Sequence, residues 1–197
     1  VSMKVDKILP SFIAKDEMTY LLDVKKFTND FEGVRNKMLL ELFYSTGIRL
    51  SELIALKVTD VDYVNKQIKV FGKRSKERII PLLDSCLDSL RFYVESYRFE
   101  VVKKDVSLFL TKSGNVLYPK LVYRIVNSYL GDVTGVKQKS PHILRHAFAT
   151  HMLNEGADLN AIKEILGHSS LTSTQIYTRS SAERLKEIYK QAHPRGN

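Results

Sequence analysis

Apolar residues recur at helical spacing over most of this chain, at about positions 15–25, 31–46, 50–56, 83–98, 118–130, 141–154, 158–166, 170–177 and 181–191. Gly47, Gly131, Gly156 and Gly167 fall where these segments end, as expected of residues that close a last helical turn. The stretch VTDVDYVNKQIKVFGKRSKERIIPL (58–82) breaks the period. Its β-branched runs, separated by short polar turns, predict two or three antiparallel strands. A hairpin tip falls at Gly72, Lys73, Arg74, Ser75 and Lys76. The expected class is α+β, mainly α-helical with a small antiparallel sheet of about three strands.

Residues 1–10 lack a helical period and end at Pro10, which predicts a linker or lead-in segment ahead of one domain over 11–197. No Gly/Ser linker, internal repeat or low-complexity tract interrupts that domain. With 197 residues, 44% of them hydrophobic, the chain can bury a sizeable core. Charge changes the picture more. Lys and Arg total 31 against 22 Asp and Glu, a net charge of +9, which points toward a polyanion and above all nucleic acid. The single cysteine, Cys86, lies on the stripe Leu83, Cys86, Leu87, Leu90, Val94 and reads as a buried structural thiol. One cysteine allows no disulfide within the chain, and no leader or run of about 18 apolar residues is evident, so the expected setting is a reducing cytoplasm without membrane contact.

The stretch PHILRHAFATH (141–151) is where chemistry enters. On a helix starting after Pro141, His142, Arg145, His146 and Ala149 share one face. Leu144, Ala147, Phe148 and His151 share the other. Two histidines four residues apart can hold a metal, but that requires a third ligand, and Arg145 between them repels a cation. Arg145 fits a phosphate instead, because its planar fork donates two parallel hydrogen bonds. His151 is expected in the core, and His146, at the edge of the face, in a structural hydrogen bond.

Other pieces are weak singly. TGIRLSEL (46–53) places Arg49 and Glu52 at i and i+3 at a helix start, readable as a surface ion pair. GKRSKER (72–78) carries Lys73, Arg74, Lys76 and Arg78, readable as a solvated turn. EILGHSSLTSTQIYT (164–178) carries His168 just past a helix end and Tyr177 nine residues later. Their order is what distinguishes them: Arg, Lys, His-x-x-Arg, Gly-His, Tyr.

That order resembles the catalytic domain of the tyrosine recombinases, the Xer-type recombinases in particular, from about position 10 to the end. The resemblance implies the tyrosine recombinase catalytic-domain fold, with Arg49 and Arg145 as the arginine pair and Lys73 as the hairpin lysine. It further implies His142 and His168 as the two histidines, Tyr177 as nucleophile, Glu52 as support for Arg49, and Arg74 and Lys76 as DNA contacts. The implied partners are double-stranded DNA and self or a related recombinase, as a tetramer on two DNA sites. Neither ATP nor a metal or other cofactor is implied. The family's N-terminal core-binding domain is not recognised in this chain, which fits an excised catalytic domain or a minimal natural form, and the linker-like start favours the excised domain. The tail carries an apolar stripe of Ala182, Leu185, Ile188, Tyr189 and Ala192 that suits docking either on a neighbouring subunit or on its own chain. An integrase of a mobile element, a type IB topoisomerase and an inactive DNA-binding regulator are the rival functions.

Overall fold

The structure is a computed structural model and describes residues 12–72, 77–102, 106–167 and 179–196, with the side chains of 179–181 left aside. Helix α2 (Phe31–Thr46) lies at the centre. Asp30 caps it by accepting from the Gly33 amide (2.8 Å), and Met38, Leu39, Leu40, Leu42 and Phe43 are buried on every side of it. Against it pack α1 (Lys15–Thr19), which runs on through a π-helical turn at Tyr20–Val24, and α4 (Asp84–Phe92), which continues through Tyr93–Arg98 into α5 (Phe99–Val101). On another side lie α7 (Pro141–Asn154), α6 (Pro119–Gly131) and α8 (Leu159–Leu166).

Short α3 (Leu50–Ala55) leads into the expected sheet, which is antiparallel in the order β1 (Val61–Asp62), β2 (Gln67–Phe71), β3 (Glu77–Pro81). Its register pairs Ile68 with Ile80 and Val70 with Arg78, and puts Ile68, Val70 and Ile80 in the core. Strand pairing ends at Phe71 with Glu77, and the expected tip residues 73–76 lie outside the described residues. The fold is thus mainly helical with one three-stranded sheet, as the pattern predicts. The helix expected at 170–177 lies outside the described residues. Among the described residues no helix is long and apolar enough to cross a membrane.

Helix α9 (Arg179–Ala192) packs on its own chain: Leu185, Tyr189 and Ala192 are buried, and the Tyr189 hydroxyl donates to the Ser45 carbonyl at 2.7 Å. His193, just beyond, is buried among the rings of Tyr44, Phe148 and Tyr189. The Arg195 amide donates to its Nδ1 (3.2 Å), so the proton sits on Nε2, which faces the Tyr44 carbonyl at 3.4 Å. His151 is in the core as expected, with Nε2 donating to the Ile13 carbonyl (2.9 Å) and Nδ1 accepting from the Tyr44 hydroxyl (2.8 Å). Cys86 is buried and free, and burial pushes its thiol far up from the ordinary range.

Burial lowers His193 from 6.5 to about 4, the Tyr44 carbonyl opposing and the positive charge of Arg195 assisting. The folded state therefore refuses a proton that the unfolded chain accepts. The stabilisation is complete above the unfolded value of 6.5 and is lost as pH falls from there toward about 4, by about 3 kcal/mol from this residue. Urea unfolding at these two ends of the range should show His193→Phe losing much less stability than the parent. Equal losses in the two proteins would show that another group titrates.

Candidate active site

Four pieces of backbone converge on the C-terminal end of α8. The first is Gly47, the left-handed residue (φ 59°) that ends α2. A Cβ there would lie 2.6 Å from both Leu166 Cδ2 and Phe148 Cδ1, so only glycine lets α2, α7 and α8 approach this closely. Its carbonyl accepts from Arg145. The second is α7, which Pro141 opens with a preset φ. Leu144, Ala147 and Phe148 of α7 are fully buried, and this orientation brings Arg145 on the opposite face over the end of α8.

The third piece is the start of α3. Arg49 is its N-cap, and Glu52, three residues on, reaches back to accept from the Arg49 amide at 2.8 Å and from its Nη1 at 2.9 Å. The fourth is strand β3, whose Arg78 forks onto Glu52, Nη1 to Oε1 at 2.7 Å and Nη2 to Oε2 at 2.9 Å. Each arginine then takes one successive carbonyl at the end of α8. Arg78 Nε donates to Ile165 (2.7 Å), Arg145 Nη2 to Leu166 (2.8 Å) and Arg49 Nη2 to Gly167 (3.1 Å). These carbonyls have no partner within the helix and sit at the negative end of its dipole, so they suit cations.

Three guanidinium groups against one carboxylate leave an excess of two positive charges. Burial works to raise the Glu52 carboxyl, but the hydrogen bonds from Arg78 and Arg49 outweigh it and hold the group at about 2. It is therefore ionised at any working pH. Arg145 is lowered to about 10 by burial first and then by Arg49 and Arg78, and still stays charged at neutral pH. Arg49 and Arg145 each commit two of their five N–H donors to partners among the described residues. The cluster is a preformed seat for an oxyanion such as a phosphate diester.

The expected Arg49, Arg145 and Glu52 thus come together. Glu52 is not a surface partner, however: its side chain is only 4% exposed and takes a second arginine. His142 stands on the first turn of α7, solvent-exposed. His146 is exposed too, and has no hydrogen-bond partner among the described residues, against the expected structural role: the helix edge it occupies carries it past the packing surface. Lys73, Arg74, Lys76, His168 and Tyr177 lie outside the described residues. Its place in GKRSKER groups Arg78 with a solvated turn, yet its side chain is 12% exposed. Strand alternation was the available signal, since Arg78 shares a face with buried Ile80.

A model of the phage integrase family matches residues 11–184. The tyrosine recombinase XerC of Chlorobaculum parvum is 44% identical over 215 residues, which cover 98% of this chain and 64% of that protein. The tyrosine recombinase XerD of Staphylococcus aureus is 41% identical over 196 residues, covering 98% of this chain and 66% of that one. The chain therefore spans a little under two thirds of the length of these relatives. Among solved structures, the XerA recombinase superposes with a TM-score of 0.72 at 30% identity, over 95% of this chain and 66% of that one. The XerH site-specific recombinase bound to palindromic difH substrate in a post-cleavage complex gives 0.71 at 28%, over 91% and 52%. The chain belongs to the phage integrase family, and its fold is that of the tyrosine recombinase catalytic domain.

The close approach at Gly47 makes a local prediction. Gly47→Ala forces a side chain into a left-handed backbone and against Phe148 and Leu166. It should lower stability by about 2 kcal/mol or more, a fall in Tm of about 5 °C or more. Gly131→Ala, where a Cβ meets nothing within 4 Å, should leave Tm close to the parent's in the same thermal scan. Equal effects at the two sites would refute the packing argument.

Proposed function

We propose that this chain is the catalytic part of an Xer-like site-specific DNA recombinase that cuts and rejoins strands through a 3′-phosphotyrosyl intermediate. The observation that carries this reading is the convergence of Arg49 and Arg145 on one end of α8, with donors that no described residue takes up turned to an oxyanion. The relatives' names support recombination over a topoisomerase or an inactive regulator, and the XerH site-specific recombinase is bound to palindromic difH substrate in a post-cleavage complex.

In this mechanism Arg49 and Arg145 grip the non-bridging oxygens of a DNA phosphodiester. The phenol oxygen of Tyr177 attacks phosphorus, a P–O bond to tyrosine forms, and the bond to the 5′-oxygen breaks. His142 assists removal of the phenol proton, His168 donates to a phosphate oxygen, and Lys73 protonates the leaving 5′-oxygen. Arg74 and Lys76 contact the DNA backbone. Negative charge grows on oxygens that the arginines already face, so losing one of them should cost ~3–4 kcal/mol, about a hundred- to thousandfold in rate. The phosphotyrosyl bond keeps the energy of the original linkage, so rejoining uses neither ATP nor metal. Rejoining to a 5′-hydroxyl from a second duplex exchanges strands, which calls for a tetramer of this or related chains on two DNA sites.

Denaturing gels of the chain with nicked duplex DNA should show protein joined to the 3′ side of the break. The adduct should persist in EDTA and be absent from Tyr177→Phe, which still binds DNA. An adduct in Tyr177→Phe would remove the tyrosine from its role, and activity lost to EDTA and restored by zinc would revive a metal mechanism.

A second test isolates Lys73. Lys73→Ala should slow cleavage by roughly a hundred- to ten-thousandfold. Replacing the bridging 5′-oxygen with sulfur gives a leaving group that departs without a proton. That substrate should largely rescue Lys73→Ala but not Arg145→Ala. If sulfur leaves the Lys73→Ala defect unchanged, the lysine is a phosphate contact and not the general acid.

A further inference from the structure

We propose that Arg78 is the positioning residue of this site. Through Glu52 it fixes the orientation in which Arg49 meets a DNA phosphate, and through the Ile165 carbonyl it ties strand β3 to the same helix end that holds Arg49 and Arg145. The proposal rests on the transesterification reading above.

The geometry of Glu52 is the reason. A carboxylate offers about four acceptor positions, and all are used. Oε1 takes Arg78 Nη1 (2.7 Å) and Arg49 Nη1 (2.9 Å); Oε2 takes Arg78 Nη2 (2.9 Å) and the Arg49 amide (2.8 Å). Arg78 supplies the two-pronged contact, which sets the plane of the carboxylate. Arg49 supplies one backbone and one side-chain bond, so that plane in turn sets both its N-cap backbone and its guanidinium. Lysine could supply the charge but not the plane.

Arg78 is poorly placed to be a third phosphate ligand. Three of its five donors are committed within the protein, and its side chain is 12% exposed against 32% for Arg49. Its aliphatic stem lies along Gly167, where a Cβ would come within 3.0 Å of Arg78 Cδ, so this arginine also shapes the turn that ends α8. What it does for the reaction passes through Glu52.

Among the described residues, the charged groups facing Glu52 are Arg49 from the start of its own helix, Arg78 from β3 and Arg145 from α7, and the end of α8 turns its last carbonyls toward them. Hydrogen bonds from Arg78 are the largest influence that opposes burial at Glu52. Without them burial drives the carboxyl up. It then gains a proton as pH falls, and Arg49 is released.

Single-turnover adduct formation should be followed from about pH 4.5 to about pH 8.5, at saturating nicked duplex, for the parent, Arg78→Met, Arg78→Lys and Arg78→Met with Glu52→Gln. At the alkaline end Arg78→Met should react about a hundredfold more slowly, the usual effect of a misplaced catalytic group, with its half-saturating DNA concentration unchanged. Toward acid it should lose further rate relative to the parent and to the double variant at the same pH. Arg78→Lys, with charge but no fork, should stay slow without that extra loss. A profile of Arg78→Met parallel to the parent's, or a defect confined to DNA binding, would overturn the proposal. Should the parent form no adduct at any pH, the recombinase reading fails, and urea unfolding then decides the positioning claim by itself. Arg78→Met and Arg49→Met should be non-additive in stability when Glu52 is present and additive in Glu52→Gln; additivity in both backgrounds would refute the link.

Discussion

One carboxylate organises this molecule's chemistry. Glu52 accepts four hydrogen bonds from two arginines while its side chain is almost wholly withdrawn from water. An isolated buried carboxylate would be protonated or expelled, and closely spaced guanidiniums would repel one another. Together they are stable, because the single negative charge sits between two of the positive ones. The residual excess of positive charge is then available to an anion from outside. Breaking any one partner leaves a buried charge exposed to that imbalance, which is why the network has to be considered as a unit.

The fold supplies what the carboxylate cannot. Guanidinium groups need acceptors at fixed distances, and the last carbonyls of α8 provide three in succession at Ile165, Leu166 and Gly167. Those carbonyls are reachable because Gly47 lets the end of α2 close on Leu166 and Phe148, and because α7 buries its opposite face fully. The core around α2 therefore acts on the site through geometry, and touches it where the Gly47 carbonyl accepts from Arg145. Arg49, Arg78 and Arg145 come from three separate elements, and a small shift of α8 would move the acceptors of all three.

Much of this was legible in the sequence, and the exceptions have a common cause. The helix at 31–46 and the two faces of 141–154 followed from periodicity, since burial against a core is what periodicity reports. His151 followed too, as a polar residue on an apolar face. Arg145 stands out from its own helix face, whereas Arg49 and Glu52 stand out only through the order of short motifs. Glu52 and Arg78 look like solvated charges in isolation, because a pair formed between residues 52 and 78 leaves no local pattern. Arg78 also stands in a strand of only five residues, too short for alternation to stand out beside a run of lysines and arginines. The tail stripe 182–192 announced that it would be covered without saying by what, and in this structure it lies on its own chain.

The central claim is that Glu52 is held as a carboxylate by its arginines despite being buried. Its side-chain carboxyl carbon, selectively labelled and assigned by loss of the signal in Glu52→Gln, can be followed by NMR as pH is lowered. The account predicts no titration through the ordinary glutamate value of 4.5 and an inflection only near 2, or at acid unfolding if that comes first. A midpoint at or above 4.5 in the folded protein would contradict it, because a carboxyl that accepts a proton there is not gripped by two arginines.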